Sequence, residues 1–180
     1  MRLICIMGGS KVGKSTLEKR LEKLGFKRSI SYTTREINSC GHSNEENGRE
    51  YHFINRYQFM ELVDKGIIIE HEEYCGNLYG TPRLVGATDY VAVVAISGYK
   101  ALKEMYKNQV VGVLLKVDEE TLKQRYRATG LLDDNELEKR IAKDFKMVEE
   151  IEEVADIVLD GSLNINTIAA NVIDYTRNNK

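Results

Sequence analysis

The sequence predicts an α/β fold, a doubly wound parallel sheet, from three observations. Leu3-Ile4-Cys5-Ile6-Met7, Tyr90-Val91-Ala92-Val93-Val94-Ala95-Ile96 and Val110 to Val117 are short, unbroken apolar runs. Strands buried on both faces of a parallel sheet read this way, because neither face meets water. These runs alternate with stretches of helical periodicity, the signature of strand–helix–strand units. The first run leads through a glycine-rich loop, Gly8-Gly9-Ser10-Lys11-Val12-Gly13-Lys14-Ser15, directly into a helical pattern beginning at Thr16.

Along the chain, Leu17, Leu21 and Leu24 recur at helical spacing, and Gly25 stops that helix. Lys27 to Thr33 reads as one strand. Residues 36–50 are polar and rich in Asn, Ser and Gly, a loop. Tyr51-His52-Phe53-Ile54 reads as a short strand. Arg56 to Lys65 places Phe59, Leu62 and Val63 on one helical face, and Gly66 ends it. Ile67 to Glu72 reads as a strand and Tyr74 to Gly80 as a turn. Segment 31–81 breaks the strand–helix alternation as an inserted lobe does. Beyond the run ending at Ile96, a helix extends through Met105. Asp118 is placed to cap the helix that follows Val117. Gly130 to Asp134 is a break, and a long helix then runs to about Val154. Ile157-Val158-Leu159 is a last strand, and Ile165 to Tyr175 a closing helix.

The 180 residues suffice for one domain with a full core. A net charge of −2 gives no general attraction to nucleic acid or anionic membrane, so neither is expected as a partner. No apolar run approaches a membrane span, and residues 1–30 lack a signal-peptide pattern. Cys5, Cys40 and Cys75 lack C-x-x-C spacing, which fits free thiols in a reducing, cytoplasmic setting. His42, His52 and His71 form no metal-ligand pattern.

The loop of residues 8–15 fits G-x-x-x-x-G-K-[ST]. Its glycines let the backbone curl so that N–H groups point inward at a helix N-terminus, where a polyphosphate binds. Gly8 through Thr16 are therefore the candidate nucleotide-phosphate-binding residues. Lys14 reaches the outer phosphates, and the Ser15 hydroxyl is the candidate magnesium ligand.

Downstream come Ser31-Tyr32-Thr33-Thr34-Arg35, Gly48-Arg49-Glu50-Tyr51-His52-Phe53, Glu70 and Gly76-Asn77-Leu78-Tyr79-Gly80-Thr81. This ordered series after the phosphate loop resembles guanylate kinase, over nearly the whole chain. The resemblance implies ATP + GMP giving ADP + GDP with magnesium, and so makes Gly8, Gly9, Ser10, Lys11, Val12, Gly13, Lys14, Ser15 and Thr16 the expected ATP-binding residues. It implies a core (1–30, 82–124, 141–180), a monophosphate-binding lobe (31–81) and a lid (125–140). It assigns Arg35, Tyr51 and Tyr79 to the acceptor phosphate of GMP or dGMP, and Ser31, Glu70 and Thr81 to the base. Arg125 and Arg140 match two arginines the family uses on the transferring group, with Lys14. Those roles suit the residue types. A guanidinium holds a phosphate with its planar fork, and a carboxylate accepts from guanine N1–H and N2–H₂.

Three positions depart from the family pattern. Asn38 stands where a second arginine is usual, and the loop from there to Tyr51 is longer by about four residues, with Arg49 and Arg56 the nearby cations. Val93-Val94-Ala95 replaces a strand end that carries an acidic pair. Thr129 aligns with a lid arginine, with Arg127 close by. Two alternatives follow: a phosphokinase of the same fold with another acceptor, and a guanylate-kinase-like binding module with weakened catalysis.

Overall fold

The computed structural model of the chain describes residues 1–39, 43–128, 130 and 133–179. The readings made for Cys40, His42 and Thr129 lie outside the described residues. The elements are β1 (Leu3–Met7), α1 (Lys14–Glu22), β2 (Lys27–Arg28), β3 (Tyr32–Thr33), β4 (His52–Phe53), α2 (Arg56–Asp64), β5 (Ile68–Tyr74) and β6 (Asn77–Pro82), followed by β7 (Tyr90–Val93), α3 (Ile96–Tyr106), β8 (Val110–Lys116), α4 (Glu119–Arg127), α5 (Asp134–Glu152), β9 (Ile157–Asp160) and α6 (Ile165–Asn178).

The central sheet has the order β2-β7-β1-β8-β9, and every pairing in it is parallel. β1 is its middle strand and all five of its residues are buried. Alternation along it feeds two cores. Ile4 and Ile6 pack with Leu17 and Leu21 of α1 and with Ile168 and Val172 of α6. Leu3, Cys5 and Met7 pack with Tyr99 and Leu102 of α3 and with Ile151 of α5. At about 1.5–3 kcal/mol for each fully buried large apolar side chain, this strand is a rigid base for the loop at its C-terminal end.

A second sheet, β4-β3-β6-β5, is built wholly from residues 32–82. β3 pairs parallel with β4 and antiparallel with β6, and β5 and β6 form an antiparallel hairpin. Its small core is Phe59, Ile68 and Leu78.

Two strand expectations are corrected. Lys27 to Thr33 is not one strand. Ser29 N–H still donates to the Val91 carbonyl at 2.8 Å, but the chain then leaves the central sheet, and Tyr32 pairs with His52 and Gly80 in the other. Tyr74 to Gly80 is not a turn throughout. Cys75 and Gly76, with φ of 50° and 75°, alone make a two-residue turn, and Asn77 onward is strand. Both central positions with positive φ are the geometry that matches strand twist in a tight hairpin. The Asp118 cap forms as expected, its carboxylate accepting from Thr121 N–H at 2.8 Å.

Candidate active site

A cleft of about 320 Å³ opens where the C-terminal ends of β1 and β7 face the second sheet. Ligands of open parallel sheets bind at this end. Gly8, Ser10 and Lys14 form its floor, and Val93, Val94 and Ala95 one edge. Ser31, Tyr51, Glu70, Tyr79 and Thr81 form the facing wall, and Arg140 and Asp144 of α5 close the side.

The phosphate loop follows from β1 and α1. Gly8 and Gly13 take φ of 137° and 108°, turning the chain back on itself before α1 begins at Lys14. The Lys14 ammonium donates to the carbonyls of Gly8 (2.9 Å) and Gly9 (2.5 Å), within the loop it serves. Burial lowers its pKa to about 8; Asp144 pulls it up and Arg140 pushes it further down. Ser15 is exposed in the first turn of α1 and lines a smaller adjoining cavity with Ser31 and Tyr51.

On the facing wall, the Thr81 hydroxyl donates to Glu70 at 3.2 Å. Thr81 is buried and Glu70 half-buried. Helix α3 approaches them closely because residue 98 is glycine. A Cβ there would lie 2.6 Å from the Thr81 hydroxyl and 3.3 Å from Glu70 Oε2.

Arg35 does not line the cleft; it lies behind the wall. It is 4% exposed, and its guanidinium sits 5.7 Å from the Tyr51 ring centre and 5.4 Å from that of Phe53. Its two terminal nitrogens donate to Glu45 at 3.0 and 2.6 Å, and that bond is the main reason its pKa is raised. Tyr51 packs edge-on against Tyr79 with ring centres 5.8 Å apart, and burial raises the Tyr51 pKa.

The two lid arginines are placed differently. Arg140 donates to the Ser10 hydroxyl (2.7 Å), to the Tyr126 hydroxyl (3.1 Å) and to the Tyr74 hydroxyl (2.9 Å). Burial lowers its pKa, but the bonds to Tyr126 and Tyr74 outweigh that and leave it above the ordinary arginine value. Arg125 instead donates to the carbonyls of Lys11 (2.9 Å) and Gly161 (3.0 Å) and does not line the cleft. Arg49 pairs with Glu46 and Glu50, and Arg56 with Glu73, and neither lines the cleft in place of the arginine missing at Asn38.

Sequence reasoning missed Glu45, Tyr74, Tyr126 and Asp144. Asp144 carried a signal: it falls in the helical stripe Leu137, Ile141, Ile151, all of which are buried. An acid in an apolar stripe needs a partner. Among the described residues no group of three or more His, Cys, Asp or Glu side chains could hold a metal ion.

The guanylate kinase family model matches residues 1–178. A guanylate kinase of Prochlorococcus marinus is 31% identical over 172 residues, 91% of either chain. In fold, the chain is similar to the crystal structure of a guanylate kinase from Anaplasma phagocytophilum, with a TM-score of 0.72 and 23% identity, covering 98% of this chain and 84% of that one. A gluconokinase from Sinorhizobium meliloti 1021 shares the fold more distantly, at a TM-score of 0.53 and 15% identity over 98% of this chain and 92% of that one. Fold alone therefore does not choose the acceptor. The family match and the 31% identity do more than fold similarity: this chain belongs to the guanylate kinase family, the ATP-dependent nucleoside monophosphate kinases.

Proposed function

We propose that the chain transfers the γ-phosphoryl group of ATP to GMP or dGMP, with magnesium. The observation that carries this is the convergence of two unlike surfaces on one cleft. The phosphate loop with Lys14 and Arg140 lies on one side, and the Thr81–Glu70 pair lies on the other.

The donor polyphosphate takes the loop N–H groups and Lys14, which gives up its two carbonyl bonds for phosphate oxygens. Arg140, held at Ser10, meets the transferring group. Phosphoryl transfer needs in-line positioning and charge neutralisation and little covalent chemistry, and both cations supply it. Magnesium typically keeps waters and substrate phosphates as ligands and asks little of the protein, which the exposed Ser15 hydroxyl in the first turn of α1 would supply. Bound there, it would neutralise phosphate charge.

Glu70 accepts from guanine N1–H and N2–H₂, and the hydroxyls of Thr81 and Ser31 serve O6. Tyr51 and Tyr79 donate to the acceptor phosphate, and the buried Arg35–Glu45 pair supports Tyr51 from behind. No general base is required, because the acceptor oxygen is already anionic. In this reading residues 1–30, 82–124 and 141–180 hold the donor, 31–81 hold the acceptor, and 125–140 cover the reacting groups. Arg125 supports the loop through the Lys11 carbonyl.

The test is a coupled ADP-release assay with MgATP across GMP, dGMP, AMP, CMP and UMP. The expected result is turnover with GMP and dGMP and little with the rest. Turnover with another acceptor but not GMP, or ATP binding without turnover, contradicts it.

A further inference from the structure

β7 ends at Val93, and neither it nor the Val94 and Ala95 that follow bring a carboxylate to the phosphate loop. Helix α5 does. Asp144 is 3% exposed and lines the cleft. Its Oδ2 accepts from the Ser10 backbone N–H at 3.2 Å and from the Tyr126 hydroxyl at 2.8 Å. It also lies flat against the loop: a Cβ on Gly9 would lie 3.3 Å from the Asp144 Cβ. One helical turn earlier stands Arg140, whose Nε is 3.7 Å from Asp144 Oδ1 and donates to the same Tyr126 hydroxyl. Arg140 then reaches the Ser10 side chain. Four residues from α4, α5 and the loop thus close a ring: Asp144 to Tyr126, Tyr126 to Arg140, Arg140 to Ser10, and Ser10 back to Asp144.

We infer that Asp144 is a positioning residue, which through Tyr126 fixes the Arg140 guanidinium at the phosphate loop before nucleotide arrives. An arginine has several rotatable bonds, and holding it in place removes an ordering cost from the transfer step. The Tyr126 hydroxyl is suited to the relay because it accepts from Arg140 while donating to the carboxylate. A buried carboxylate near a phosphate site would repel the ligand if it stood alone. Here Lys14 and Arg140 both face it, so the phosphate-loop side of the cleft keeps two cations beside this one carboxylate. The inference rests on the kinase reading above, and one arm of its test is independent of the acceptor.

The variants are Asp144→Ala, Asp144→Asn, Tyr126→Phe, Arg140→Ala and the double variant Asp144→Ala/Arg140→Ala. Asp144→Ala should lower kcat roughly ten- to a hundredfold, the scale of a misplaced catalytic group, with KM for ATP and GMP within about twofold. Tyr126→Phe and Asp144→Asn should move kcat in the same direction by less. In the Arg140→Ala background, removing Asp144 should cost far less than it does in wild type, because its route through Arg140 is already gone and only its bond to the Ser10 N–H remains. Equal loss of kcat with and without Arg140 overturns the inference, as does a lowered melting temperature or raised KM with kcat unchanged. The independent arm is the ¹⁵N–¹H Nε resonance of Arg140 in the nucleotide-free protein, assigned by its loss in Arg140→Ala. It should shift or broaden in Tyr126→Phe and Asp144→Asn, which keep the packing. An unmoved resonance overturns the positioning role whatever the acceptor. A wild type that binds ATP but ignores GMP would contradict the proposed function and leave this arm to decide.

Discussion

Arg35 and Glu45 form a two-pronged ion pair in which both side chains are almost wholly shielded from water, 3% and 5% exposed. The pair fastens the polar loop after β3 to the back of the wall that carries Tyr51. Removing one member strands a buried charge, which costs far more than the pair contributes net. Glu45→Ala should therefore destabilise the protein by about 3–5 kcal/mol in urea unfolding. It should also raise KM for GMP, since the Tyr51 side of the cleft loses its support. A loss under about 1 kcal/mol, the range of an exposed pair, would contradict this placement.

Asn38 gives a second prediction from the same loop. Its position aligns with a family arginine, which invites Asn38→Arg as a repair. The structure points the other way. Asn38 has φ of 59°, where asparagine is tolerated better than most side chains, and its backbone N–H donates to Glu45 at 2.9 Å. Its side-chain oxygen accepts from Glu45 N–H at 2.8 Å. Asn38→Arg should therefore raise KM for GMP and lower the melting temperature. A lowered KM would show that the guanidinium reaches the acceptor phosphate without Asn38's bonds being needed.

Lys14 predicts opposite pH trends for stability and activity. Its pKa in the folded protein is about 8, below its ordinary value of 10.5, chiefly through burial. Below pH 8 folded and unfolded chains both carry the proton, and the burial cost is fully present. Between pH 8 and 10.5 the unfolded chain binds more protons, so this group makes stability rise with pH. Activity falls over the same range, because a neutral amine does not neutralise phosphate. Wild type should gain stability relative to Lys14→Met from pH 7 to pH 10, while its kcat/KM for ATP falls above about pH 8. Lys14→Met itself should lose roughly a hundredfold or more in kcat with the fold intact. Parallel stability curves for the two proteins would contradict the assignment.

The parts of the fold legible in the sequence were those fixed by local pattern. The continuous apolar runs marked the central parallel strands, and Gly8 through Ser15 marked the phosphate loop at the end of β1. The Asp118 cap was readable because its bond runs three residues along the chain. What failed was set by partners far along the chain. Lys27 to Thr33 has the composition of one strand, yet Arg28 pairs with Val91 and Tyr32 with Gly80, in different sheets. Asn77 to Gly80 has turn composition but gains strand partners from Glu72 and Tyr32. The site divides the same way. Ser31, Tyr51, Glu70, Tyr79 and Thr81 line one wall as their order suggested. Arg35 stands behind that wall because Glu45, ten residues on in the following loop, claims its guanidinium, whereas Arg125 is held off the cleft by the carbonyls of Lys11 and Gly161, far along the chain.

The base contact is the most direct test of the whole account, because it concerns the substrate itself. Guanine offers donors at N1 and N2, whereas adenine offers an acceptor at N1 and no amine at C2. Glu70, already accepting from Thr81 at 3.2 Å, retains lone pairs for both guanine donors and repels the adenine lone pair. Glu70→Gln keeps the shape but loses the charge, and its amide can serve only one of the two donors. Calorimetric titration of GMP and AMP into wild type and Glu70→Gln, with circular dichroism to confirm folding, reads this out. GMP affinity should weaken by about 2–3 kcal/mol, roughly thirty- to a hundred-and-fortyfold in Kd, with the GMP/AMP ratio shrinking alongside and ATP affinity unchanged. Unaltered GMP affinity and an unaltered GMP/AMP ratio in the Gln variant would contradict the assignment of Glu70 to the base, and with it GMP as the acceptor read by this cleft.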